Sequence, residues 1–172
     1  MDFEEKTISS TQIYDGKVVK LYCDDVLCPN GVKAKREIIK HSGGAAILCI
    51  KDEKVLLIKQ FRYPYKEIIY EIPAGKLEKG EDPYNAALRE FEEETGNKTD
   101  KLEFLGIVYP TVGYTDEKIY IYLADQFSKT HTHFDQDEYV ENVWVSLDEF
   151  KNMVKDGTIK DLNLLGRNIK RI

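Results

Sequence analysis

The chain is poor in the features that define several protein classes. Its 172 residues include only three cysteines, Cys23, Cys28 and Cys49, whose spacing suits neither a disulfide framework nor a zinc site. A disulfide-stapled secreted scaffold and a zinc finger are thereby excluded, and the three are expected to be reduced, buried thiols. No apolar run approaches the length of a membrane span, and the acidic start Met-Asp-Phe-Glu-Glu does not read as a signal peptide. Positive charge is also short. Twenty-five Lys and Arg face 31 Asp and Glu, for a formal net charge of −6. That balance argues against nucleic acid as a bulk electrostatic partner and leaves the recruitment of any anion to local cations. No internal repeat or low-complexity tract is present. The expectation is a cytoplasmic protein, one domain with a small accessory element, with neither nucleic acid nor membrane as partner.

What is present is acid in an unfavourable place. Asp82-Pro83 reads as a helix start, with an N-cap carboxylate and a proline at the first helical position, and Gly96 reads as the glycine that ends the helix. Within that frame Glu90, Glu92, Glu93 and Glu94 crowd the negative end of the helix dipole, each at a cost of about 0.3–1 kcal/mol. Glu90 and Glu94 add an i,i+4 like-charge repulsion. Arg89 is the one basic residue in the helix, so a further cation is called for. Glu90, Glu93 and Glu94 share one face while Glu92 points away. Three carboxylates so placed suit a hard divalent cation, Mg²⁺ or Mn²⁺. The opposite stripe, Ala87, Leu88, Phe91 and Thr95, can dock the helix on a core.

Elsewhere the chain reads mostly as strand. Residues 4–41 alternate apolar and polar around turns at Asp15-Gly16 and Pro29-Asn30-Gly31, which predicts a three-stranded antiparallel meander too small to stand alone. Gly43-Gly44 marks the join to the main domain, giving an N-terminal element over 1–42 and a second domain over 43–172. In the latter, strands are expected at 45–50, 54–61, 68–72, 102–109, 118–124 and 139–145. Ser146-Leu147-Asp148-Glu149 is a capping box opening a helix that stops near Gly157, and Asp161 is placed to cap a final helix. Sheet with flanking helices is an α/β or α+β arrangement. His131 and His133 lack a third ligand and read as loop residues.

The order Gly75, five residues, Glu81, seven residues, Arg89-Glu90-Phe91, one residue, Glu93-Glu94, one residue, Gly96 resembles the box that marks Nudix hydrolases. Gln60-Phe61-Arg62, Glu71-Ile72-Pro73-Ala74-Gly75 and Lys35-Arg36-Glu37-Ile38 extend the likeness toward the ADP-ribose pyrophosphatase branch, from about residue 5 to residue 150. The last position of the box is usually apolar, and Asn97 there bears on helix-end packing more than on chemistry. The resemblance implies a Nudix α/β/α sandwich with a mixed sheet, and a homodimer whose N-terminal strands cross to the partner. It implies metal ligation by Glu90 and Glu94 with the Ala74 carbonyl, Glu93 bridging through metal or water, and Arg89 orienting the glutamates.

A further acid ahead of a late strand maps to Glu138, as a metal ligand or as general base. Relatives that carry another acid two residues earlier differ here, where Gln136 stands, so Glu138, Asp137 or Glu93 must supply the base. Arg62 and Lys76, with Thr111, Gly113 and Glu117 in a later loop, map to substrate contacts. Pro110 lies two residues before Val112, the place where ADP-ribose enzymes usually carry a proline. The implied reaction is hydrolysis of the pyrophosphate of ADP-ribose, or of a similar nucleotide sugar, to AMP and ribose 5-phosphate. CDP-choline, GDP-mannose or an oxidised nucleotide are alternative substrates, and a module that binds such a ligand without cleaving it is the alternative role.

Overall fold

The computed structural model describes residues 3–131 and 139–161. Two compact units emerge, one comprising the residues up to Gly43 together with 111–117, the other comprising 44–110 and the residues from Lys118 onward.

The first unit is an antiparallel meander of β1 (Lys6–Asp15), β2 (Lys20–Leu27) and β3 (Lys33–Lys40), turned where Asp15-Gly16 and Pro29-Asn30-Gly31 stand. Its ladder is stitched by side chains: Lys35 Nζ lies 2.9 Å from Asp25, and Arg36 forks onto Glu5. β1 is exposed along its whole length, leaving Ile8, Ile13 and Tyr14 in water. The loop 111–117 belongs to this unit because it hydrogen-bonds the end of β3. The Ile39 amide donates to Tyr114 O at 2.7 Å, the Asp116 amide to Ile39 O at 3.2 Å, and Lys40 Nζ reaches Asp116 at 2.9 Å.

The second unit opens with β4 (Gly44–Lys51) and β5 (Lys54–Arg62), then β6 (Glu67–Glu71), β7 (Ala74–Lys76) and helix α1 (Pro83–Thr95). There follow β8 (Asn97–Lys98), β9 (Glu103–Val108), β10 (Ile119–Ala124), β11 (Ser128–Lys129), β12 (Val140–Ser146) and helix α2 (Leu147–Lys155). A seven-stranded sheet runs β12-β5-β4-β10-β9, with β6 paired to β5 and β7 to β4. It is mixed: β10 runs parallel to β4 and the other pairs are antiparallel.

Alternation along β4 and β5 sends side chains to two cores. Ala45, Ile47, Cys49 and Leu56 pack with Ala86, Ala87 and Phe91 of α1, while Ala46, Leu48, Val55 and Leu57 pack with Val145 and with Phe150 of α2. Sheet between helices is the architecture expected from the chain. The short strands β7, β8 and β11 are additions to the expected set. The final helix expected after Asp161 lies outside the described residues.

Cys49 is fully buried, whereas Cys23 and Cys28 are half-buried. Burial pushes the Cys49 thiol up to about 12, so almost none of it is thiolate at neutral pH. Mass spectrometry after brief alkylation of the native protein should find Cys49 unlabelled. Labelling at the rate seen in denaturant would show that this core opens readily.

Candidate active site

Helix α1 carries the expected caps. The Asp82 side chain accepts the amides of Tyr84 and Asn85 at 3.0 and 3.3 Å, Pro83 takes the first turn, and Gly96 closes the helix at φ 62° with its amide on Glu92 O. No basic residue occupies the last turn, so within the helix only Arg89, a turn earlier, faces its acids. Asn97 is buried, and its Nδ2 donates to Thr95 O and Thr95 Oγ1 at 3.1 Å, so it caps the helix end rather than joining the site.

Ala74, Gly75 and Lys76 are drawn beside the helix by pairing with Ala46, Ala45 and Gly44 of β4. There the acids separate into distinct tasks. Glu94, 8% exposed, turns inward, and its Oε2 accepts the Ala74 amide at 2.9 Å. The Glu90 carboxylate lies against Gly75 so closely that a Cβ on Gly75 would meet it at 1.9–2.2 Å. Glu93 remains the most accessible, with its side chain 39% exposed. Glu92 turns away toward Lys98 and Thr130.

Arg89 is the hub. Its Nη1 donates to Glu90 at 2.8 Å and to Glu93 at 2.9 Å. Nε and Nη2 fork onto the two Glu81 oxygens at 3.0 and 3.1 Å, and Nη2 also reaches Lys76 O at 3.3 Å. These bonds, that to Glu81 foremost, raise the Arg89 pKa further and hold the Glu81 carboxyl below its ordinary range. Arg89 thus bridges Glu81, Glu90 and Glu93. Glu81 belongs to the same cluster, and its place in the box spacing was the signal for it.

Among the described residues no three His, Cys, Asp or Glu side chains surround a common cation position, because Arg89 and the Ala74 amide satisfy the acids in its place. The donor set nevertheless fits a hard divalent ion. It is all oxygen and anionic, and the bare Gly75 leaves the Glu90 carboxylate seated on the loop backbone.

Arg62 forms a two-point pair with Glu71, Nε at 2.7 Å, and its charge is further favoured by Glu94 and Asp161. That pairing orients the guanidinium and places it within electrostatic reach of the acid cluster. Lys76 stands at the end of β7. Thr111, Gly113 and Glu117 lie in the loop of the first unit. There Glu117 Oε1 is 3.3 Å from His41 Nδ1, a neighbour with no local sequence signal. The same nitrogen accepts the Gly43 amide at 3.0 Å. Glu138, Asp137, Gln136 and His133 lie outside the described residues.

A model of the NUDIX domain matches residues 40–165. The chain is 46% identical over 161 residues to a Bacillus subtilis protein described as ADP-ribose pyrophosphatase, covering 92% of this chain and 87% of that one. It is also 46% identical over 162 residues to a Bacillus methanolicus protein described as methanol dehydrogenase activator, covering 92% and 88%. A solved structure described as an ADP compounds hydrolase superposes with a TM-score of 0.84 at 19% identity, over 96% of this chain and 91% of that one, a likeness of fold. Its domain, its relatives and the acid-bearing helix folded against the Gly75 loop agree: the chain belongs to the Nudix hydrolase family.

Proposed function

We propose that this chain hydrolyses the pyrophosphate bond of ADP-ribose, or of a closely similar nucleotide sugar, releasing AMP and ribose 5-phosphate with Mg²⁺, or Mn²⁺, as cofactor. The observation that carries the reading is the gathering of Glu90, Glu93 and Glu94 around the 74–76 loop, clamped by Arg89. A pyrophosphate resists hydrolysis because its anionic oxygens repel an incoming hydroxide. When bound at Glu90, Glu94 and the Ala74 carbonyl, with Glu93 alongside, a divalent cation neutralises those oxygens and acidifies a water.

The chain's own residues supply the rest. Arg89 holds Glu90 and Glu93 in fixed rotamers, and Glu94 ties the helix to the loop. Glu93, Asp137 or Glu138 takes the proton from the attacking water as its oxygen bonds to phosphorus, the bridging P–O bond breaks, and the second phosphate leaves. Two relatives of equal identity carry different descriptions, so the nucleotide sugar rests on Arg62 and the loop residues.

Arg62→Ala should raise KM for ADP-ribose with little change in kcat, lowering kcat/KM about ten- to a hundredfold, because the contact is made at the nucleotide end in ground and transition state alike. Steady-state kinetics with chromatographic identification of products tests this. If ADP-ribose is untouched while another nucleoside diphosphate derivative is cleaved, the substrate assignment is overturned and the chemistry stands.

The assembly we infer is a homodimer in which the N-terminal strands cross to the partner and line its nucleotide pocket. Support comes from a meander with little core of its own and a β1 strand exposed from Lys6 to Asp15. Light scattering at micromolar concentration should give twice the chain mass, and a chain starting at Gly43 should lose solubility or substrate affinity. A fully active monomer would overturn the dimer.

A further inference from the structure

At the far end of β4 from the catalytic loop lies a cavity of about 640 Å³ that the proposed hydrolysis does not use. Ala46 pairs with the catalytic loop at Ala74, and Lys51 at the cavity is roughly 16 Å further along the strand. The volume falls in the range of small-molecule sites.

Its lining combines two chemistries. One is aromatic: Phe127 and Trp144 stack at 6.1 Å with planes 15° apart, and Trp144 remains 40% exposed. The other is mainly cationic: Lys51, Lys54 and Lys129 border the same space, against a single acid, Asp52. None of these three lysines is in an ion pair among the described residues, although the chain as a whole is acidic.

Holding those lysines there carries a cost. Lys51 and Lys54 are direct cross-strand partners, and like charges so placed repel. The two residues joining them, Asp52 and Glu53, both adopt left-handed backbone, at φ 49° and 57°, as a two-residue hairpin turn requires. The helix end beside the cavity does not compete for the lysines. Asn97 Nδ2 occupies Thr95 O, and the Thr130 amide occupies Gly96 O at 2.7 Å. Lys51 Nζ instead sits 4.8 Å from the Phe127 ring centroid, a contact that leaves its hydrogens available to an acceptor.

We propose that this cavity is a second binding site, for a nucleoside phosphate. The base would stack on the exposed Trp144 indole, which Phe127 backs, and the phosphate would be held by Lys51, Lys54 and Lys129. An anionic ligand relieves the repulsion between Lys51 and Lys54, and a planar base uses the exposed indole. A bare inorganic anion would use only half of this lining.

Trp144 is the chain's only tryptophan, so its fluorescence reports on this cavity and on no other place. Titration of the metal-free full chain with AMP should give a saturable change in Trp144 emission, and inorganic phosphate and adenosine should each act far more weakly. The double variant Lys51→Ala/Lys54→Ala should bind AMP about tenfold less tightly, as loss of charge-assisted contacts implies, with an unchanged or higher thermal midpoint and unchanged turnover. Lys129→Ala should weaken binding in the same direction. Three results overturn the site: no saturable response to AMP, a response equal to that of phosphate alone, or an affinity indifferent to the lysine variants.

Discussion

Gly75→Ala is expected to lower turnover by about a hundredfold or more while leaving the thermal midpoint almost where it was. The new Cβ would stand 1.9 Å from Glu90 Cδ and 2.0–2.2 Å from its oxygens, far inside any real contact distance. The atoms in its way are the far end of a flexible side chain, so the carboxylate gives way and β7 keeps its pairing with β4. Gly75 has no left-handed φ, so alanine adds no backbone strain and restricts the unfolded chain, an effect of roughly 0.4–1 kcal/mol in favour of folding. Displacing a reacting group by about an ångström costs on the order of a hundredfold in rate.

The control is Gly96→Ala. Gly96 sits at φ 62° and closes α1, and a side chain there costs roughly 1–2 kcal/mol in stability, so its midpoint should fall. Kinetics and thermal melts on the two variants should therefore show opposite patterns. A Gly75→Ala enzyme of normal turnover would mean that Glu90 takes no part at its seat on the loop.

Glu94→Gln should be the more severe change for catalysis and the milder one for the fold. The amide oxygen of glutamine can still accept the Ala74 amide bond that Glu94 Oε2 accepts at 2.9 Å, so the tie between α1 and the loop survives. Removing the charge lessens the repulsion with Glu90 and the conflict with the helix dipole, a gain of a few tenths of a kcal/mol. Without metal the variant should melt at the wild-type temperature or slightly above it.

Magnesium separates the two proteins. Wild type should gain stability as the ion is added, by mass action on the folded state, and the variant should gain little. Turnover should drop by about 10²–10³, the equivalent of several kcal/mol of lost charge stabilisation at the reacting phosphates. Near-normal turnover would remove Glu94 from the metal set, and a wild-type midpoint indifferent to Mg²⁺ would count against the set as a whole.

Local geometry was legible from the residues alone. Asp82, Pro83 and Gly96 bound α1 because caps act over one turn, and the facing of Glu90, Glu93 and Glu94 follows from the helical repeat. Hairpins read just as directly, since Asp15-Gly16 and Pro29-Asn30-Gly31 turn the chain by their own dihedral preferences. The two cores likewise follow from alternation along β4 and β5.

Tertiary structure decided everything that depends on which segments meet. β7, β8 and β11 are two or three residues long and exist only through partners in β4 and in each other. The parallel pairing of β10 with β4 joins Gly44 to Ile119, a register that no local pattern encodes. Three glutamates that share a face on paper were given three environments. Glu94 is bonded to the loop, Glu90 is seated on Gly75 and Glu93 is left half-exposed, because β7 approaches the helix from one side. His41 beside Glu117, and Lys51 and Lys54 beside Trp144 and Lys129, are likewise products of packing. A residue's nearest charge in a folded chain is set by sheet order and loop path, and neither follows from its sequence neighbours.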